Sequence, residues 1–216
     1  MKTARSDSLK TRLNLLEAAS EIFAEKGFWN ATHEEISSRA NANVASINYH
    51  FGSKENFYIE AWKYSFEKSI RKHPPEGNTL PGDPVEERIR GRILSILKRV
   101  IDPDAHDINI MHKELSNPTG LLTDVFLKTV EPINSSFKET IKEFLGEGTG
   151  DDQVEFCFIS IMSQCFTPMI YHRMKNGDIP MPNTNLALLE LGAERLADYI
   201  TGFIFYGINS FRQDSK

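Results

Sequence analysis

The stretch NVASINYHFGSKENF, residues 43–57, gathers hydrogen-bonding side chains on what a helical pitch makes one surface. At about 100° per residue, Ile47 and Phe51 fall together and point inward, with Val44 beside them. Ala45 and Tyr49 point the opposite way, flanked by Ser46 and Asn48. Such a surface suits recognition rather than bond-making. A major groove admits a helix of about 10–12 Å diameter, and a small outward residue permits close approach. Asn bonds either an adenine edge or a phosphate, and Ser and Tyr commonly bond phosphate oxygens. Lys54 just past the helix, and Lys2, Arg5, Lys10 and Arg12 near the N-terminus, add cations suited to a nucleic-acid backbone.

Catalytic chemistry has no comparable support. There is no Gly-x-Ser-x-Gly elbow, no phosphate-cradling loop and no dinucleotide fingerprint. His106, His112, Glu114 and His172 are the residues from which a metal site would have to be built. Only His112 and Glu114 are neighbours, and a spacing of i, i+2 on a helix points them apart. No catalytic residue, metal or cofactor is therefore expected. Cys157 and Cys165 lie about 12 Å apart along a helix axis, too far to bridge within one chain.

The elements that must position the 43–57 surface are all helical, so the expected fold class is all-α. A first helix over about 8–26 carries Leu9, Leu13, Leu16, Ala19 and Phe23 as one stripe, with Gly27 as its stop. Thr32 followed by Glu35 is a capping box that starts a short helix ending near Ala40. Asn41 suits a left-handed turn, and Asn43 suits the cap of the next helix. Two short helices joined by Asn41–Asn43 make a helix-turn-helix. That arrangement also occurs as a plain packing unit, so the residues alone leave both uses open.

A fourth helix over 53–72 leads to HPPEGNTLPGDP, residues 73–84, whose four prolines and two glycines mark a boundary. The expected organisation is a helix-turn-helix domain at 1–52, a connecting helix at 53–72 and a second domain at 73–216. Helices are expected there at about 85–101, 108–116, 121–145, 151–175 and 186–212. The last two are apolar on more than one face, and Pro168 falls inside the first of them.

The net charge is −5, unevenly spread: residues 1–73 hold eleven Lys/Arg against nine Asp/Glu, and the remainder fourteen against twenty-one. A nucleic-acid contact is thus allowed to the N-terminal part and disfavoured for the rest. No stretch approaches the roughly 18 apolar residues of a membrane span, and the polar N-terminus MKTARSDSLKTR is not a secretory signal. A cytoplasmic protein without a membrane partner is expected.

Residues 15–58, LLEAASEIFAEKGFWNATHEEISSRANANVASINYHFGSKENFY, resemble the DNA-binding domain of the TetR/AcrR family of transcriptional repressors. Ala18, Phe23, Gly27, Phe28, Thr32, Ile36, Ala40, Tyr49, His50, Phe51, Ser53, Lys54 and Glu55 match its pattern. The resemblance implies an all-α homodimer with an N-terminal helix-turn-helix domain and a C-terminal ligand-binding and dimerisation domain. It implies DNA contacts from Thr32, His33, Val44, Ala45, Ser46, Asn48, Tyr49 and His50, with Lys54 on a phosphate. His50 has a second reading, as a packing residue bonded to the backbone. Two positions depart from the family: Asn41 stands where Gly is usual, and Asn48 where Tyr often bonds a phosphate. The segment HKELSNPTG, 112–120, resembles the CecR-like subgroup.

The same resemblance implies an effector pocket among the helices at about 85–175. The residues expected to line it are His112, Phe126, Phe137, Phe166 and His172, with Glu114, Asn117, Gln164 and Arg173 as further polar candidates. A small hydrophobic or amphipathic effector would suit that lining. The helices at about 151–175 and 186–212 suit a homodimer built as a four-helix bundle, with Gly192, Ala193 and Ala197 allowing close approach. Two recognition helices would then reach successive major grooves about 34–36 Å apart on a pseudo-palindromic double-stranded operator. Repression relieved by the effector is the implied action; activation, or regulation without a ligand, is the alternative.

Overall fold

Helix follows helix through the whole of the structure, a computed structural model that describes residues 2–175 and 191–213, with side chains over 6–169 and 191–207. Ten helices are seen among the described residues: α1 (Lys2–Asn30), α2 (His33–Arg39), α3 (Val44–Phe51), α4 (Lys54–Lys72), α5 (Val85–Ile101), α6 (His106–Ser116), α7 (Thr123–Thr129), α8 (Glu131–Leu145), α9 (Asp151–Lys175) and α10 (Ala193–Gln213). The described residues up to Lys72 form one compact unit together with Pro103–Thr129. His73–Asp102 and the described residues from Val130 onward form a second.

In the first unit α1 packs on α4 and α6. Its buried face is Leu15, Leu16, Ala18, Ala19, Ile22 and Phe23. The expected stripe holds only from Leu16 onward, because Leu9 and Leu13 are exposed. Gly27 interrupts α1 at φ 74°, ψ 174°, where a glycine meets no steric penalty, and one further turn follows. The core is aromatic. Phe23 meets Tyr58 edge-on at 4.9 Å, and Phe51 stacks on Phe57 at 4.2 Å. Ser20 Oγ donates to the carbonyls of Leu16 (2.7 Å) and Ala61 (3.0 Å), satisfying a buried hydroxyl while joining α1 to α4. Although α6 and α7 lie beyond residue 73 in sequence, they belong to this unit.

The second unit is built on α5, where Ile89, Ile93 and Leu97 recur every four residues and are fully buried. They pack in one cluster with Phe137, Ile141 and Phe144 of α8, Cys157 and Ile161 of α9, and Ala197, Ile200 and Ile204 of α10. The single helix expected over 121–145 is two. α7 ends at Thr129 and α8 starts afresh with Pro132 in its first turn. Proline has no N–H to donate, and in a continuous helix its ring would meet the carbonyl four residues back, whereas a first turn accepts it. The last helix was expected from 186; residues 176–190 lie outside the described set. Ala193 and Ala197 are buried in the core of the unit itself, so their smallness serves packing within the protomer. No helix among the described residues is long and apolar enough to cross a membrane.

Candidate nucleic-acid interface

Local hydrogen bonds build the α2–turn–α3 segment. Thr32 Oγ1 accepts from the Glu35 N–H at 3.2 Å, and Glu35 Oε2 accepts from the Thr32 N–H at 3.3 Å, the reciprocal box its spacing predicts. Glu35 also takes a hydrogen bond from Lys26, the first cause of its lowered pKa, which ties α2 to α1. Arg39 pairs with Glu25 at 2.7 Å and Glu21 at 3.3 Å, a second tie between the same helices. Asn41 sits at φ 49°, in the left-handed region asparagine tolerates. Asn43 Oδ1 then accepts from the Ala45 N–H at 2.8 Å and caps α3. Ile36 and Ile47 are fully buried and fix the two helices against the core.

What remains outward on α3 is Ala45, Asn48 and Tyr49, all exposed, with Tyr49 at 81%. Val44, Ser46 and His50 are half-buried. The His50 ring lies edge-on to Tyr49 at 4.9 Å and makes no hydrogen bond among the described residues. At the start of α2, Thr32 is exposed, and His33 is half-buried with its Nε2 shielded and unpaired. The Lys54 ammonium lies 4.7 Å from the Phe28 ring centroid, and burial there pushes its pKa down. Of the nine expected contact residues, six lie on α3, Lys54 starts α4, and Thr32 and His33 stand at the start of α2. Arg12 is engaged elsewhere: it pairs with Glu60 at 3.0 Å and lies over the Phe51 ring. Lys10 is exposed, and the side chains of Lys2 and Arg5 lie outside the described set.

The residues expected to line an effector pocket are distributed over both units. His112 on α6 and Phe126 on α7 belong to the first, where Phe126 lies 6.4 Å from Trp62. Glu114 is buried there, and Asn117 is exposed. Phe137, Gln164 and Phe166 belong to the second, where Phe137 meets Phe158 edge-on. The side chains of His172 and Arg173 lie outside the described residues. A cleft of about 790 Å³ opens in the second unit between α5, α8 and the loops around 76–81 and 146–149, and none of the expected pocket residues lines it. Its cations are Arg88, Arg92 and Lys142. The sequence carried a signal for one of them: Arg92 stands three residues after Ile89 and one before Ile93, on the apolar side of α5.

A capped helix-turn-helix on an all-helical frame is an architecture that DNA-binding regulators use, and the comparisons decide for that use over a plain packing unit. Residues 15–61 match the family of bacterial regulatory proteins of the tetR type, and residues 85–207 match the C-terminal domain of the HTH-type transcriptional dual regulator CecR. The chain belongs to the TetR family of transcriptional regulators and carries a CecR-type C-terminal domain. The CecR dual regulator of Shigella flexneri is 29% identical over 155 residues, covering 67% of this chain and 69% of that protein. The NicS repressor of Pseudomonas putida is 39% identical over 57 residues, only 26% of this chain and 27% of its own. Among solved structures, a TetR-like regulator from Rhodococcus aligns with TM-score 0.62 at 14% identity, over 92% of this chain and 96% of that one. AibR, solved with isovaleryl coenzyme A and operator DNA, aligns with TM-score 0.62 at 14% identity, over 90% and 97%. These structural likenesses concern the fold. The family is one of transcription regulators, which disposes of the enzyme alternative.

Proposed function

We propose that two copies of the chain bind a pseudo-palindromic operator, α3 of each entering a major groove, and that a small molecule in the C-terminal domain releases them. The reading rests on α3: a helix capped by Asn43, anchored by Ile47 and Phe51, and turning Ala45, Asn48 and Tyr49 to solvent. Thr32, His33, Val44, Ser46, His50 and Lys54 complete the contact set. Asn48 and Ser46 act at base edges or phosphates, and Thr32, Tyr49 and Lys54 hold the backbone. The protein acts where the chromosome is, in the cytoplasm.

Exposed apolar side chains support the dimer. Phe156 and Ile159 on α9, and Tyr199, Phe203 and Tyr206 on α10, stand at helical spacing opposite faces already buried in the protomer. Helices apolar on two sides fit a bundle completed by a second copy. An effector shifts operator binding only by its differential affinity for the binding and non-binding states. Repression is the primary reading. The name of the CecR relative, a dual regulator, favours a second one in which the same protein also activates.

The test is selection of bound duplexes from a random DNA pool with purified protein at moderate salt. Recovery of a two-fold-related site is expected, with half-sites one or more helical turns apart. Salt-sensitive binding with no sequence preference would remove the operator from the reading. No binding, even after denaturing and refolding to strip any bound ligand, would refute it. A reporter behind the selected site then gives the sign of regulation.

A further inference from the structure

Among the described residues of the second unit, the most buried cation has no ion-pair partner. Arg92 is 8% exposed, yet its one hydrogen bond among the described residues runs from Nη2 to Ser136 Oγ at 2.8 Å. It makes no ion pair among them. Its guanidinium carbon lies 5.4 Å from the Phe137 ring centroid, and Glu76 acts on it only from longer range. Burial presses its pKa down, as it must for a cation taken out of water without a partner. A guanidinium carries five N–H donors in a planar fork matched to a carboxylate, so most of its donor capacity is unused.

This side chain lines the 790 Å³ cleft, whose other cations have ion-pair partners, although the Nε of Arg88 is buried without a hydrogen bond among the described residues. Arg88 pairs with Glu143, and Lys142 with Asp151 at 3.0 Å. Glu76, Glu139 and Glu147 are exposed, where solvent screens them. The wall thus offers one unanswered buried cation among exposed carboxylates. One such cation set among four carboxylates suits a ligand with a single negative charge better than a dianion. Ser136 on α8 accepts from Arg92 and keeps its own hydroxyl proton to give, whereas Thr140 donates to the Ser136 carbonyl at 3.1 Å, and Leu80 and Pro81 add apolar surface for the rest of a ligand.

We propose that this cleft binds a small monocarboxylate, its carboxylate held by Arg92 with Ser136, and that such an acid is the effector, a role that rests on the regulator reading above. The aromatic residues expected to form a pocket take no part in this site.

The experiment is thermal unfolding of the full chain with benzoate and hexanoate, their neutral amides, and inorganic phosphate at matched ionic strength. At least one acid raises the midpoint dose-dependently, by about 3 °C or more at saturation, while its amide and phosphate do not. Arg92→Met removes the cation at similar volume and folds, since a buried unpaired charge is lost. It binds the acid at least tenfold more weakly, and Arg92→Lys, lacking the fork, is intermediate. No shift with either acid, an equal shift with the amide, or an unaltered shift in Arg92→Met overturns the site. Operator binding of the ligand-free protein is measured separately, so failure of the DNA reading is seen by itself. A site that binds the acid without changing operator affinity overturns the effector role.

Discussion

Tyr58 on α4 donates a 3.1 Å hydrogen bond to Oε2 of Glu114 on α6, and both side chains are buried. The other carboxylate oxygen, Oε1, accepts from the N–H groups of Thr119 (2.8 Å) and Gly120 (2.9 Å) and from the Thr119 hydroxyl (2.8 Å). One carboxylate therefore closes the turn after α6 and fastens α6 to the long helix that follows the helix-turn-helix. Burial, then the Glu114 charge, drives the Tyr58 phenol pKa upward, so its proton stays in place. Removing Tyr58's hydroxyl with Phe costs about 1 kcal/mol. Glu114→Ala costs about 3 kcal/mol, because it strands the buried Tyr58 hydroxyl and the part-buried donors of Thr119 and Gly120 at once. Urea unfolding measures both, and equal losses for the two variants would contradict the asymmetry.

Glu17 on α1 ties the same frame from another side, accepting from the Tyr64 hydroxyl at 2.6 Å and the Lys68 ammonium at 2.5 Å. Burial is the largest single influence and acts upward, but those hydrogen bonds and the Lys68 charge together outweigh it, leaving its pKa lowered. A carboxylate depressed in the folded state adds stability above its unfolded pKa, and that stability disappears as pH falls through the folded value. The wild type is therefore expected to lose midpoint as pH drops below about 4.3. Glu17→Gln should decline less steeply there and run parallel to wild type between pH 6 and 8. Parallel curves throughout the acid range would remove Glu17 from the linkage.

The features legible in the sequence were those settled within about four residues of chain. The Thr32–Glu35 box, the left-handed Asn41 and the Asn43 cap are such cases, and each stands as its spacing predicts. Periodicity tells which face of a helix is apolar but not how far a neighbour covers it, so Leu9 and Leu13 were assigned to a stripe that the fold leaves in water. The single helix expected over 121–145 passed over Pro132, which a first turn accepts and a helix interior does not. The packing of α6 with α1 and α4, and the lack of an ion pair for Arg92 among the described residues, depend on which helices meet in space, which no local pattern states.

Gly77 lies at φ 65° with its backbone against that of Gly91 on α5, and a Cβ there would fall on the Gly91 carbonyl. A left-handed φ and a backbone obstacle act together, so Gly77→Ala is expected to cost about 3 kcal/mol or more. At Gly91 a Cβ meets the Thr79 methyl at 2.8 Å and the Glu76 and Gly77 carbonyls at 3.3 Å, contacts less close than those at Gly77 and without a left-handed φ, so Gly91→Ala should cost less than Gly77→Ala. Gly82 has open space and serves as the control, within about 0.5 kcal/mol of wild type. Thermal unfolding ranks the three; a harmless Gly77→Ala would show that the 76–81 wall of the cleft is not seated on α5.

Substitutions on the outward face of α3 separate recognition from folding. Ala45, Asn48 and Tyr49 are exposed, so changing them leaves the unfolding midpoint within about a degree. Ala45→Leu places a branched side chain where, on the proposed reading, the helix approaches base edges, and operator affinity should fall tenfold or more. Tyr49→Phe removes a backbone-directed hydroxyl and should weaken all duplexes by a similar factor, leaving the ranking of sequences intact. Asn48→Ala should relax the preference at one base pair in each half-site, at a cost of about 1–3 kcal/mol, if the amide reads a base edge. A uniform loss would instead put Asn48 on a phosphate, the part the family often gives to Tyr at this position. Asn43→Ala is the contrast: losing the cap costs about 1 kcal/mol of stability and lowers affinity only through the helix it frays. Fluorescence anisotropy on the selected operator and its single-base variants, beside thermal unfolding, reads both quantities. If Ala45→Leu binds like wild type, α3 does not enter the groove.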